Sequence, residues 1–121
     1  MNYPLIKAYV AEGATSQFLI AKQGTGDNQI LKADAAAAKT LGVVCQPGDV
    51  SAGETTDVVI LGEAEVMLGG TVGAGVSIAS DANGKAVAST AGDRAVGIAL
   101  ESGVSGDVVR CLVSPHIYYA S

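Results

Sequence analysis

His116 is the one histidine in the chain, and histidine titrates nearest to neutral pH, so it is the first residue to weigh as a general base. It follows Pro115 close to the chain end, with no serine or cysteine arranged beside it as a nucleophile, and it reads as a solvated or interface histidine. Carboxylates pair at Glu63 with Glu65 and at Asp49 with Glu54. Two close carboxylates can divide acid and base roles, but in an acidic β-patterned chain these read as a wet strand face and as turn residues. Cys45 and Cys111 have no Cys-x-x-Cys spacing, and they read as free thiols that fill space as small apolar groups. No catalytic residue can be nominated, and no metal or cofactor is expected.

Three further segments invite a chemical reading. The run Gly69-Gly-Thr-Val-Gly-Ala-Gly75 has the composition of a phosphate loop, but Val76-Ser77 stands where Lys-Ser or Lys-Thr is needed and a strand pattern follows, so it reads as a connection between strands. Asp81-Ala-Asn-Gly84 could open a calcium loop, but the third acidic ligand and the distal Glu are missing. Lys85 suggests the modified lysine of biotinyl or lipoyl carrier domains. It begins the return strand of a hairpin rather than standing at its tip, and the neighbours typical of those domains are absent.

The elements that would position these residues are strands. Val, Ile and Thr clusters separated by Gly, Ser, Asn and Asp predict strands over 6–10, 18–22, 29–32, 42–45, 57–61, 63–68, 76–80, 86–89, 95–100 and 107–113, the spacing of a small barrel or sandwich. Asn83-Gly84 predicts a type I′ hairpin that brings Ser80 and Ala86 together. Gly62 is expected to mark a bulge or bend that turns a barrel corner. One short helix is predicted over 33–39, capped by Asp34.

One phrase occurs twice. Leu41-Gly-Val-Val-Cys-Gln-Pro-Gly-Asp-Val-Ser-Ala-Gly-Glu-Thr-Thr-Asp-Val-Val-Ile-Leu61 and Val96-Gly-Ile-Ala-Leu-Glu-Ser-Gly-Val-Ser-Gly-Asp-Val-Val-Arg-Cys-Leu-Val113 both read as a Gly-led strand, a small polar turn and an Asp-Val-Val strand. Repeated hairpins predict an all-β, small barrel-like or tulip-like domain, the two copies supplying paired hairpins of one pseudo-symmetric barrel.

The chain has 121 residues, enough for one domain with its own core. Twelve acids against seven scattered cations give a net charge of −5, which argues against nucleic acid. Mean hydropathy is +0.38, yet no apolar run approaches the roughly 20 residues of a membrane span and residues 1–10 do not read as a signal peptide. Neither nucleic acid nor membrane is expected as a partner.

Aromatic residues lie only at the ends: Tyr3, Tyr9, Phe18, Tyr118 and Tyr119. Tyrosine combines apolar area with a hydroxyl and suits contact surfaces. The two ends could equally pair as neighbouring strands that shield the barrel base.

Leu41-Gly-Val-Val, Ala52-Gly-Glu54, Val58-Val-Ile-Leu-Gly-Glu63, Ser80-Asp-Ala-Asn-Gly-Lys-Ala86, Arg94-Ala-Val-Gly-Ile-Ala99 and Gly106-Asp-Val-Val-Arg-Cys-Leu-Val113, in this order and spacing, resemble the capsid decoration, or head cement, proteins of tailed bacteriophages. The resemblance covers about 41–113 and is weaker over the first forty residues. It implies a noncatalytic module that binds the outside of an expanded capsid, with the major capsid protein and its own copies, as a homotrimer, for partners. On that reading residues 1–15 form an extended arm, residues 16–121 one β-rich domain, and the contact candidates are Tyr3, Pro4, Leu5, Tyr9, Phe18, His116, Tyr118 and Tyr119. The arm over 2–10 would add a strand to a shell protein's sheet, and its removal is expected to leave a folded domain. The alternatives are a tail or baseplate fitting, a receptor-facing spike module, and a biotinyl or lipoyl carrier.

Overall fold

The computed structural model describes residues 4–36, 38–90 and 93–117, with 115–117 described by backbone alone. Its strands are β1 (Leu5–Ala11), β2 (Thr15–Ser16), β3 (Ile20–Gln23), β4 (Gln29–Lys32), β5 (Thr40–Val44), β6 (Asp49–Val50), β7 (Thr55–Met67), β8 (Ser77–Ser80), β9 (Ala86–Ala88), β10 (Arg94–Ala99) and β11 (Val108–Ile117). The fold is all-β, as the patterning predicts. Strands β1, β4, β3, β5 and the first half of β7 close into a five-stranded barrel, because β7 also pairs with β1. Only the β1–β4 contact in that barrel is parallel.

The predicted strands over 57–61 and 63–68 are one strand, β7, and Gly62 lies inside it with φ 109°. There β7 exchanges partners. Up to Leu61 it pairs with β1, and from Gly62 onward it pairs with β11. A Cβ on Gly62 would stand 2.8 Å from Pro4 Cα, so the corner needs glycine both for its φ and for the close approach of β1.

Beyond the corner the strands run β7-β11-β10-β8-β9, and a parallel bridge between Leu68 and Ala86 brings β9 back to the end of β7. This sheet repeats the barrel strand for strand. The second half of β7 stands for β1, β8 for β3, β9 for β4, β10 for β5 and β11 for the first half of β7, with the parallel contact in the same place. Even the loops correspond. The pairing of Thr15 with Val50 is matched by the bridge of Val72 to Gly103. The bond from Ala11 N to Glu54 O (2.8 Å) is matched by that from Leu68 N to Asp107 O (2.8 Å).

The duplicated phrase is therefore the legible part of a duplication that spans the fold. Gly42 and Gly97 are equivalent: a Cβ on either would overlap a backbone carbonyl of the facing strand, that of Val59 or of Leu112. The two Asp-Val-Val segments are not equivalent. Asp57-Val58-Val59 stands where Arg110-Cys111-Leu112 stands, and Asp107 matches Glu54. Both of those carboxylates close a turn, Glu54 Oε1 accepting from Ser51 N (2.6 Å) and Asp107 Oδ2 from Val104 N (3.0 Å).

Two cores follow. Tyr9, Ala11, Ala21, Ile30, Val44, Val50 and Val58 fill the first barrel. Val66, Leu68, Ile78, Ala86, Val96, Ala99, Cys111 and Val113 fill the second half, and Ile20, Val43 and Val59 reach the same cluster from the outer face of the first barrel. Strands between two cores are buried on both faces, which is why Val43-Val44 and Val58-Val59 read as unbroken apolar pairs rather than alternating.

The helix predicted over 33–39 is absent among the described residues. Ala33 is fully buried and its N–H bonds Ile20 O, Arg94 N–H bonds Ala36 O, and Asp34 pairs with Lys22 at 3.0 Å instead of capping a first turn. Tertiary partners thus take the groups a helix would have used. The hairpin at 80–86 forms with Ser80 opposite Ala86, but its turn is not type I′. Only Gly84 (φ 77°) is left-handed there, and Asp81 Oδ1 accepts from Asn83 N and Lys85 N, at 2.8 and 2.9 Å. That is a three-residue loop ending in a left-handed glycine.

Candidate docking surface

Pro4, half-buried, abuts the Gly62 corner, and Leu5 is 55% exposed opposite Leu61 at 52%. The segment expected to be an extended arm is, from Leu5 to Ala11, a strand of the barrel, hydrogen-bonded along β7 and joined to β4 at Val10 and Ala11. Its other edge from Leu5 to Ala8 has no strand beside it among the described residues. Tyr9 is turned inward and 8% exposed, with Lys7 Nζ 5.4 Å from its ring centroid. Its ring is spent on the core rather than offered to a partner. Phe18 is half-buried in a loop with φ 74°. His116 lies opposite Ala95 on β11 by its backbone, while Tyr3, Tyr118 and Tyr119 fall outside the described residues. The two chain ends do not pair with each other in the described strands. β1 and β11 instead take successive stretches of β7.

An open groove of about 660 Å³ at the β7 corner is lined by Pro4, Ile6, Cys45, Glu63, Glu65 and Arg110. Arg110 bridges Glu63 and Glu101, each at 3.6 Å, across exposed side chains. The N–H of Arg110 also donates to Glu101 Oε1 at 2.9 Å, and that bond first, with the guanidinium second, holds the Glu101 carboxyl below its usual range. Thr25 does the same for Glu12 through its backbone N–H and hydroxyl.

The thiols are held protonated. Burial, helped by the charge of Glu63, pushes Cys111 up to about 12, and burial with Asp57 nearby raises Cys45. Both cysteines are free. Among the described residues no three metal-ligating side chains gather, and the glycine-rich run 69–75 is a strand connection pinned by the Val72–Gly103 bridge.

Sequence reasoning missed a second surface. On the outer face of the second half, Ile98 and Leu112 face each other across β10 and β11, 39% and 40% exposed. Its signal was the repeat itself, since aligning Gly42 with Gly97 places Ile98 on Val43, which is fully buried.

These features define a duplicated β-barrel module whose distinguishing surfaces are apolar strand faces and an open strand edge. Among solved structures, the chain is similar to the N base of head fiber gp8.5 of bacteriophage phi29. The TM-score is 0.67 over 98% of this chain and 100% of that chain, at 19% sequence identity. An identity this low shows a shared fold. No protein-family model and no curated protein matches the chain.

Proposed function

We propose that this chain is a noncatalytic structural protein of a bacteriophage virion, mounted on the outside of the head. The observation that carries this reading is the fold shared with a head fiber base over 98% of this chain and 100% of that chain. It is supported from the sequence side by the resemblance of residues 41–113 to capsid decoration proteins. The chemistry agrees, because the thiols are kept protonated, Glu54 and Asp107 are tied into turns and Glu63 into a surface ion pair. Attachment to the major capsid protein uses the Pro4–Leu61 corner, where exposed Leu5 and Ile6 and the open edge of β1 can accept a strand from the shell. Many copies on one lattice then need only modest affinity each to bridge neighbouring shell subunits and cement them.

Because β1 is a barrel strand, removing residues 1–10 would unmake the first barrel, and the attachment is better tested at exposed side chains. Leu5→Asp with Ile6→Asp keeps the fold and lowers head occupancy. Electron microscopy of virions labelled on this chain tests the location: label on the head supports the reading, and label confined to tail or baseplate overturns it.

A further inference from the structure

The duplication supplies a template for an interface between copies. Within one chain, the first barrel docks on the second half through the outward cross-strand pair Val43–Val59, which are 0% and 3% exposed. They pack in one cluster with Val96, Val113 and Ala64. The equivalent outward pair on the second half is Ile98–Leu112, equally a cross-strand pair, and there the structure leaves it open at 39% and 40%.

The receiving side is also open, in the first barrel. Val96 and Val113 are fully buried, in one cluster with Val43 and Val59 of the first barrel. Their equivalents in the first barrel are Leu41 and Ile60, both only half-buried at the margin of that barrel's core. Each chain thus carries one used junction and two unused halves of the same junction. In repeat architectures a face covered by the next unit is left apolar at a terminal unit unless a cap replaces it.

We propose that a second copy of this chain docks head to tail, its Leu41–Ile60 side seated on the Ile98–Leu112 pair of the first and repeating the intramolecular junction. Continuity with that junction is what selects a copy of the chain over any other occupant. The two faces differ, so the contact is heterologous, and it closes into a ring or runs on as a string according to the rotation between copies. The inference stands on the duplication alone and does not depend on the head location proposed above.

Sedimentation and light scattering of the full chain test it. The wild type should associate with rising concentration. I98D/L112D, altered only at exposed positions, should keep its circular dichroism and raise the dissociation constant at least about tenfold. L41E should also fail to self-associate, yet an equimolar mixture with I98D/L112D should form a 1:1 dimer, because each variant keeps the face the other has lost. Should L41E not fold, I98D/L112D mixed with wild type should lower the mass of wild-type assemblies by capping them. A wild type that stays monomeric at its highest soluble concentration, an I98D/L112D that associates like wild type, or a mixture that neither pairs nor caps would overturn the proposal.

Discussion

Phe18 and Gly75 occupy one position in the two halves of the fold. Phe18 has φ 74° and Gly75 φ 84°, and each donates its N–H to the carbonyl at the end of an equivalent strand, Val44 (3.0 Å) or Ala99 (2.7 Å). A phenylalanine in the left-handed region is held there by the loop's geometry, whose natural residue is seen in the other copy. Gly75 has nothing within 4 Å of where a Cβ would stand. Gly75→Ala should therefore cost about 1–2 kcal/mol from backbone conformation alone, read as a lower urea midpoint with an unchanged slope.

Gly42 and Gly97 present the opposite case, with ordinary φ but no room, since an added Cβ would overlap the Val59 or the Leu112 carbonyl. Alanine at either position must push two strands apart. Each substitution should cost roughly 3 kcal/mol, and amide hydrogen exchange should show the loss centred on β5 and β7 for one and on β10 and β11 for the other.

Thr15 and Thr56 are buried with no partner for their hydroxyl oxygens. Their equivalents in the second half are Val72 and Val109, both buried. Thr56→Val is close to isosteric and removes an unsatisfied group, so it should raise stability by about 1 kcal/mol. A drop in the thermal midpoint would mean that the hydroxyl has a partner such as a bound water.

Cys111 makes stability depend on alkaline pH. Its folded-state value is raised from 9.0 to about 12, chiefly by burial. The contribution is complete below 9.0 and is lost as pH rises toward 12, because the unfolded chain releases its proton first. Cys111→Val, which copies Val58 of the other half, should lack this component. The stability of wild type relative to the variant should therefore shrink from about pH 7 to about pH 10.5; a constant difference would refute the assignment.

The strand content was legible because Gly, Asn and Asp punctuate short β-branched runs, and Gly62 was legible as a corner because it interrupts one. The helix was misread because Asp34 and the alanine run satisfy local propensity, whereas Ala33, Ala36 and Asp34 are claimed by Ile20, Arg94 and Lys22. The duplication was visible only where both copies kept similar residues. Val66 and Leu68 against Tyr9 and Ala11, or Gly75 against Phe18, share a backbone position without sharing a side chain. The exposed Ile98–Leu112 face was hidden for a related reason: Val43 and Ile98 look alike in sequence, and only the packing of one half on the other separates a buried residue from an exposed one.

The central claim is a noncatalytic protein bound to the outside of a phage head, and its most direct measurement is cosedimentation of the purified chain with isolated shells of the virus that encodes it. Saturable binding to expanded capsids, weakened by Leu5→Asp with Ile6→Asp and lacking on unexpanded precursors, is the predicted result. Failure to bind any shell, with binding to tails instead, would contradict the account.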